Sequence, residues 1–404
     1  MTANPKLDNN SIEYIFETAE LVLDSSENRR AGSADESQVQ HIFMNELIKY
    51  CDETTEDTFK THPGAGTLAE KILSLLLILC VILFSVSVNS GTVFPSSLSL
   101  VMSLGIFCTF AYKFIFDGKK LDFITPSKRS KNILGVRCSR GETKTRIVLV
   151  GRSDSPQSMR GLLFRNSTTF ILSVLSLIGN SLLFCGNLFF LFSGAPENSG
   201  FFMVINTLCL VFIPFYIASV FVINNKKVAS GISTGIIPSA ILLSIMKQFH
   251  DNSFRYEKTE VCCLISGSEY SSRAGSYAFA SKYKRRFSDV PTIFIPIEEL
   301  TTSRSLSVFF RDGSGINGSS EVASVIGDAA ENLSLTIKKE NFFLGSSTFT
   351  PFSKYGFSAC SIGTSKRHIS KGFSANADTL EKVSKASVSD MGALIIETLN
   401  YYDG

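Results

Sequence analysis

Four long apolar stretches divide this chain, and every other feature has to be fitted around them. They cover residues 72–88, 98–116, 170–192 and 201–222, and each holds at most one charged side chain. A helix rises about 1.5 Å per residue, so about 17 to 23 residues suffice to cross about 30 Å of hydrocarbon. The spacing therefore predicts four transmembrane helices in two hairpins, the first with little length to spare. The 44% hydrophobic content of the 404 residues is uneven: four greasy blocks alternate with ordinary polar segments.

The charges around the stretches predict an orientation. The link 89–97 carries no charge and 193–200 carries only Glu197. The opposite ends are basic, with Lys71, Lys113, Lys119, Lys120, Lys128, Arg129, Lys131, Arg160, Arg165, Lys226 and Lys227. Basic residues near membrane ends stay on the cytoplasmic side. Both termini and the segment 117–169 are expected inside, in a multipass protein of the cell membrane, with lipid as its first partner. Lys113 sits near a helix end, where a long side chain can snorkel. Pro214 is expected to kink the fourth helix. Asn180 and Asn187 are expected to bond to a neighbouring helix, because a pore would show more polar positions.

Composition excludes several classes. A net charge of +3 gives no strong pull toward nucleic acid. The nine cysteines form no CxxC pair, and four of them (Cys80, Cys108, Cys185 and Cys209) lie in the apolar stretches. Free thiols packing as small hydrophobes are expected, and neither a zinc ribbon nor a disulfide framework. His41, His62, His250 and His368 are scattered, so no histidine pair stands at ligand spacing. The glycine-rich 313–320 reads as a loop. The basic runs at 127–131 and at Lys282, Lys284, Arg285 and Arg286 are candidates to face anionic lipid, the first being the better one.

The polar segments read as one α/β domain. Residues 11–60 carry helical periodicity, for example Ile12, Ile15, Phe16, Ala19, Val22 and Leu23. "NILGVRC" and "TRIVLVG" read as two strands around a turn. "TEVCCLISGSE" and "TIFIPIEEL" read as further strands, and 239–249, 274–283, 322–333 and 388–401 as helices. Strands alternating with helices predict a mostly parallel sheet covered on both faces, whose chemistry lies beyond the carboxyl ends of the strands. Those ends are "GRSDS", "GSEYSS" and "IEEL". In this reading the domain is assembled from 1–71 (N-terminal helices), 117–169 (strands) and 223–404, interrupted by membrane hairpins at 72–116 and 170–222.

These strand ends resemble the di-zinc aminopeptidases of metallopeptidase family twenty-eight, and more narrowly a bacterial membrane-bound branch of it. "RRAGS", "TFKTHPGA", "NILGV…GETKTRIVLVG", "TEVCCLISGSE", "TIFIPIEEL" and "FSANADTLEKV" follow the family's order and spacing. The resemblance implies a zinc-aminopeptidase-like fold and two zinc ions held by histidines and carboxylates, with a glutamate as general base. Carried over residue by residue, the ligand positions hold Arg152, Gly231, Tyr270, Glu298 and Ser374. The general-base position keeps Glu269, and Asp154 and Asp378 persist as the residues beside the ligands. A guanidinium, a bare backbone, a phenol and a hydroxyl cannot grip two divalent cations alongside one carboxylate. The expectation is a fold without metal or other cofactor, a non-catalytic module that binds a protein or peptide at its cleft. Two rivals stand beside it: an active enzyme with an atypical site recruiting Glu269, Glu298, Glu299 and His368, and a transport or assembly subunit. Arg152 is expected to pair with the carboxylates left in the cleft.

Overall fold

The computed structural model describes residues 3–4, 6–26, 28–115, 118, 122–156, 167–194, 196–197, 199–222, 230–300, 305–313, 315–341, 347–364 and 378–404. The chain divides into two compact units. One comprises Met1–Pro63, Pro126–Ser158 and Lys227–Gly404, and the other Gly64–Thr125 and Met159–Lys226.

The elements run in chain order as follows. Helix α1 (Asn9–Ser25) starts at Asp8, whose carboxylate accepts from the Ser11 amide at 2.7 Å. Helix α2 (Ala34–Tyr50) starts at Ser33, which accepts from the Glu36 amide at 3.1 Å. Both are side-chain caps that satisfy otherwise orphaned amides. Strand β1 (Glu53–Thr61) follows, and then the apolar helices α3 (Ala65–Ser90) and α4 (Val93–Phe110). Strands β2 (Lys128–Arg137) and β3 (Thr145–Arg152) precede the next apolar group, α5 (Ser167–Phe192), α6 (Gly200–Val211) and α7 (Ile213–Val222). The remainder is α8 (Ile237–Asp251), β4 (Thr259–Ser266), α9 (Ala274–Tyr283), β5 (Thr292–Pro296), β6 (Leu306–Arg311), α10 (Ser320–Asn332), β7 (Ile337–Asn341), α11 (Phe349–Lys354), β8 (Ser358–Ala359), β9 (Ser361–Thr364) and α12 (Lys385–Asp403).

Six strands form one mixed sheet in the order β1-β2-β4-β3-β5-β8, with β4, β3, β5 and β8 parallel and β1 and β2 antiparallel at one side. Alternate residues of the central strands face opposite layers. Ile147, Leu149, Cys263, Ile293 and Ile295 join one core with α1, α2, α8, α10 and α12. Val148, Val150, Cys262, Leu264 and Phe294 join the other, with Phe279 and Tyr283 of α9 and Phe352 of α11. Phe294 stacks on Phe352 with ring centroids 4.1 Å apart. The chain ends are tied to the unit: the Ala3 amide donates to Asn400 at 2.8 Å, and Asp403 accepts from the Lys258 and Thr259 amides at 2.7 and 3.0 Å.

Two expectations are corrected here, and one sheet was not foreseen. Residues 53–61 are a strand and not part of a helical segment: Glu56, Thr58 and Lys60 are exposed while Thr55, Asp57 and Phe59 between them are half-buried, a two-residue period. Strands β2 and β3 are not partners, because β4 lies between them, antiparallel to one and parallel to the other. The sheet is thus mixed. A second sheet, β7-β6-β9, was not anticipated; its strands are short and polar on β7.

The helical unit packs around Leu73, Leu77, Val81, Phe84, Leu183, Phe190, Phe202 and Tyr216. Several of its polar side chains are paired between helices. Asn187 accepts from Ser96 at 2.7 Å and donates to Ser99 at 3.0 Å; Asn180 accepts from Ser103 at 2.7 Å and donates to the Ser103 carbonyl at 3.2 Å. The three serines recur at helical spacing on α4, and the two asparagines lie seven apart on α5, so each set lines one face. The expected interhelical role of the asparagines holds. The break between α6 and α7 falls at Phe212, two residues before Pro214, which has no amide to continue the ladder. Lys113 is buried and ion-paired with Asp122. Among the described residues, five helical segments are long and apolar enough to cross a membrane by length and composition. Four of them overlap the four stretches. The fifth, Ile232–Asp251, is 89% buried within the α/β unit and serves its core.

Candidate functional site

The carboxyl ends of β3, β4 and β5 bring together most of the residues singled out from the sequence. Arg152 ends β3, Glu269 and Tyr270 follow β4, and Glu298 follows β5. Arg152, Glu269 and Glu298 are buried and Tyr270 is half-buried, so the charged groups need partners to offset their lost hydration.

Arg152 is the hub. Its Nη2 donates to Glu298 Oε2 and to Thr348 Oγ1, and its Nη1 donates to the Tyr270 hydroxyl at 3.3 Å. The guanidinium carbon lies 5.6 Å from the Tyr270 ring centre. Glu298 also accepts from the Ser347 hydroxyl and, at 2.8 Å, from the Thr348 amide. Burial alone would raise the Glu298 carboxyl, but the Arg152 charge and these donors prevail and hold it below the usual carboxylate range. Burial likewise opposes the charge on Arg152, yet Glu298, Tyr270 and Glu269 favour it, so Arg152 stays protonated.

Glu269 occupies a loop with a strained backbone, and Asp154, two residues beyond β3, bonds to it. Ser268, Ser272 and Arg273 adopt left-handed φ of 52°, 55° and 52°, a region that costs non-glycine residues energy. Asp154 Oδ2 accepts from the Tyr270 amide at 2.8 Å and so pins this loop. Its Oδ1 is buried and has no hydrogen-bond partner among the described residues. Burial, reinforced by Glu36 and Glu269, pushes the Asp154 carboxyl well above its ordinary value. Glu269 Oε1 accepts from the Ser266 hydroxyl at 2.6 Å and from the amide and hydroxyl of Ser276, both at 2.8 Å, whereas Oε2 has no partner.

Asp378 serves the backbone. Its two oxygens accept from the Ile232 and Ser233 amides at 2.8 and 3.0 Å, capping the π-helical turn Ile232–Ile236 that leads into α8. Gly231 precedes that turn with φ +64°. Ser374 and His368 lie outside the described residues. Glu299 is buried, and its backbone carbonyl accepts from the Thr364 amide at 2.8 Å.

Two residues here were missed as site residues by sequence reasoning. Arg29, from "RRAGS", is 1% exposed and donates through Nη2 to the Ser230 carbonyl. A side chain added at Gly231 would place its Cβ 3.2 Å from this Nη2 and 3.0 Å from Pro156 Cδ. Burial pulls Arg29 down to about 10, while Asp154 and Asp378 work to keep its charge. Glu36 of α2 is also 1% exposed; it accepts from the Gly32 and Ser268 amides, both at 2.6 Å, and from Ser130 at 3.0 Å. The only sequence signal for either was a charge beside a helix start, which ordinarily marks a solvated cap.

Among the described residues, the side chains at these positions offer few donor atoms for a pair of zinc ions. Among the described residues, no group of three or more His, Cys, Asp or Glu side chains is placed to hold a metal ion. Glu298 is already engaged by a guanidinium, and Gly231 offers no donor atom. Burial pushes the Tyr270 phenol up to about 12, so its oxygen stays protonated and is a poor ligand.

The comparisons agree with the architecture. No curated protein matches the chain in sequence. A leucine aminopeptidase precursor from Bacteroides thetaiotaomicron superposes with a TM-score of 0.56 at 8% identity, over 99% of this chain and 99% of its own. A Zn-dependent exopeptidase from Parabacteroides distasonis gives 0.56 at 9% identity, over 96% and 97%. A glutaminyl cyclase from an Acidobacteriales bacterium gives 0.55 at 11% identity, over 100% and 99%. At such identities the likeness is one of fold. The model of peptidase family M28 matches residues 226–399, in line with the family resemblance read from the strand ends.

Proposed function

We propose that this chain is a multipass membrane protein whose α/β unit is a non-catalytic binding or scaffold module on the cytoplasmic side. The observation that carries the reading is the Arg152 cluster. A permanently charged guanidinium, at a position that the family resemblance assigns to a metal ligand, is hydrogen-bonded to the carboxylate and the phenol at two other such positions. A fixed cation there competes with a metal ion for the same negative charge. Without a metal no water is acidified, and Glu269 has nothing to activate. Asp154 and Glu269 retain their places, which supports descent from a hydrolytic site, but they now pin the loop after β4. The module would act by holding a protein or peptide partner. The four apolar stretches and the basic residues flanking them support the membrane placement.

Elemental analysis of the purified full-length chain, paired with aminopeptidase assays on amino-acyl substrates, tests the reading. Substoichiometric zinc, no chelator-sensitive release of amino acids and an unchanged melting temperature in chelator are expected. Two equivalents of tightly held zinc with chelator-sensitive turnover would overturn it.

A further inference from the structure

The ribbon made by β1 and β2 is electrically polarised along its length. Asp52 and Glu53 lie at the end where β1 begins, and Asp52 pairs there with Arg255. In the middle, Glu56 pairs with Lys131 and Asp57 with Lys282. At the other end, Lys60 stands directly opposite Arg129, and Lys128 is opposite Thr61. Lys60, Lys128 and Arg129 are exposed, and none of them has an ion-pair partner among the described residues. Cations facing each other across antiparallel strands repel, so this end of the ribbon is less favourable than its neutral counterpart unless an anion sits on it. In sequence, Lys60 lies five residues before Ala65, where the first apolar helix begins.

We propose that Lys60 and Arg129 on one face of the ribbon's end, with Lys128 on the other, form a docking surface for anionic phospholipid headgroups of the leaflet that α3 enters. This rests on the membrane placement proposed above. The chemistry matches: lipid phosphates supply diffuse, mobile negative charge that relieves cross-strand repulsion without a shaped pocket. The acidic side chains nearest in sequence are already held by other cations. Each basic residue near such a surface changes affinity about fivefold, an effect that salt screens.

Native mass spectrometry of the full-length chain in detergent, after equilibration with phosphatidylglycerol or phosphatidylcholine, reads this directly. The parent is expected to retain phosphatidylglycerol in preference to phosphatidylcholine, and added salt should weaken the preference. The triple variant Lys60→Ala, Lys128→Ala, Arg129→Ala should lose most of it. A control at cations elsewhere, Lys247→Ala with Lys354→Ala, should retain it. Equal retention by parent and triple variant, or equal loss in triple variant and control, would overturn the proposal. Circular-dichroism melts of all variants guard against unfolding. Carbonate extraction of membranes separates the two readings. A chain released by carbonate ends the membrane placement. One that resists it but shows no preference for phosphatidylglycerol ends only the docking surface.

Discussion

Arg152 and Glu298 make a buried pair whose members depend on each other. Taking either charge from water costs several kcal/mol, and the partner together with Ser347 and Thr348 offsets it. Arg152→Ala should destabilise the α/β unit by about 3–5 kcal/mol, because it strands the Glu298 carboxylate. Arg152→Met with Glu298→Gln should cost less than Arg152→Met alone. Denaturant unfolding followed by circular dichroism would show it, and a double variant worse than the single would contradict the pairing. Gly231 is constrained by its left-handed φ and by Pro156, Ser155 and Arg29 around its missing side chain. Gly231→Asp, which reinstates an acid at that position, should lower stability by about 1–3 kcal/mol and restore no zinc binding. Stoichiometric zinc in that variant would contradict the crowding argument. Glu36 adds a pH test. Burial raises its carboxyl, outweighing the amides that donate to it. A group with a raised folded value contributes stability that is complete below its unfolded value and is lost as pH rises through the folded one. Relative to a Glu36→Gln variant, the parent should lose stability between acidic and neutral pH. A parent that gains stability over the same range would reverse the sign assigned here.

At the level of elements, the apolar helices were the most legible part of the sequence, because a long run without charge has few other uses. Their polar residues were legible too: Asn180 and Asn187 stand seven apart, and Ser96, Ser99 and Ser103 answer them on the neighbouring helix. Asn187→Leu removes the acceptor of Ser96 and the donor to Ser99, and should cost about 1 kcal/mol of unfolding free energy in detergent. A variant indistinguishable from the parent would mean that the ladder contributes nothing measurable. The strands were less legible. Helical spacing in 11–50 was extended too far because β1 is polar on both faces and lacks the apolar alternation of a half-buried strand. The insertion of β4 between β2 and β3 could not be read locally, since strand order depends on contacts more than a hundred residues apart. In the site, Arg152, Glu269, Tyr270 and Glu298 were readable as strand ends. Arg29 and Glu36 were not, because nothing near them in sequence signals that the α1–α2 connection folds over those ends.

For the molecule as a whole, the two apolar insertions leave and re-enter the α/β unit at neighbouring points. Thr61 and Lys128 are opposite each other in the β1–β2 register, so the chain departs and returns across a single strand-to-strand spacing. Ser155 donates to the Ser230 carbonyl at 3.3 Å, which fixes the same closeness for the second insertion. Antiparallel strands joined at such a point accept a turn of about two to five residues. The α/β unit carries its own two-sided core and has both termini tied into it. Replacing 64–125 by a short Asn-Gly turn and 159–226 by a short glycine-serine link should therefore yield a domain that folds in water. It should unfold in one cooperative transition and still show the stability loss on Arg152→Ala. Size-exclusion chromatography and calorimetry would decide the outcome. An aggregated product with no calorimetric transition would mean that the unit requires the apolar helices to fold, and that the insertions are structural partners of the domain.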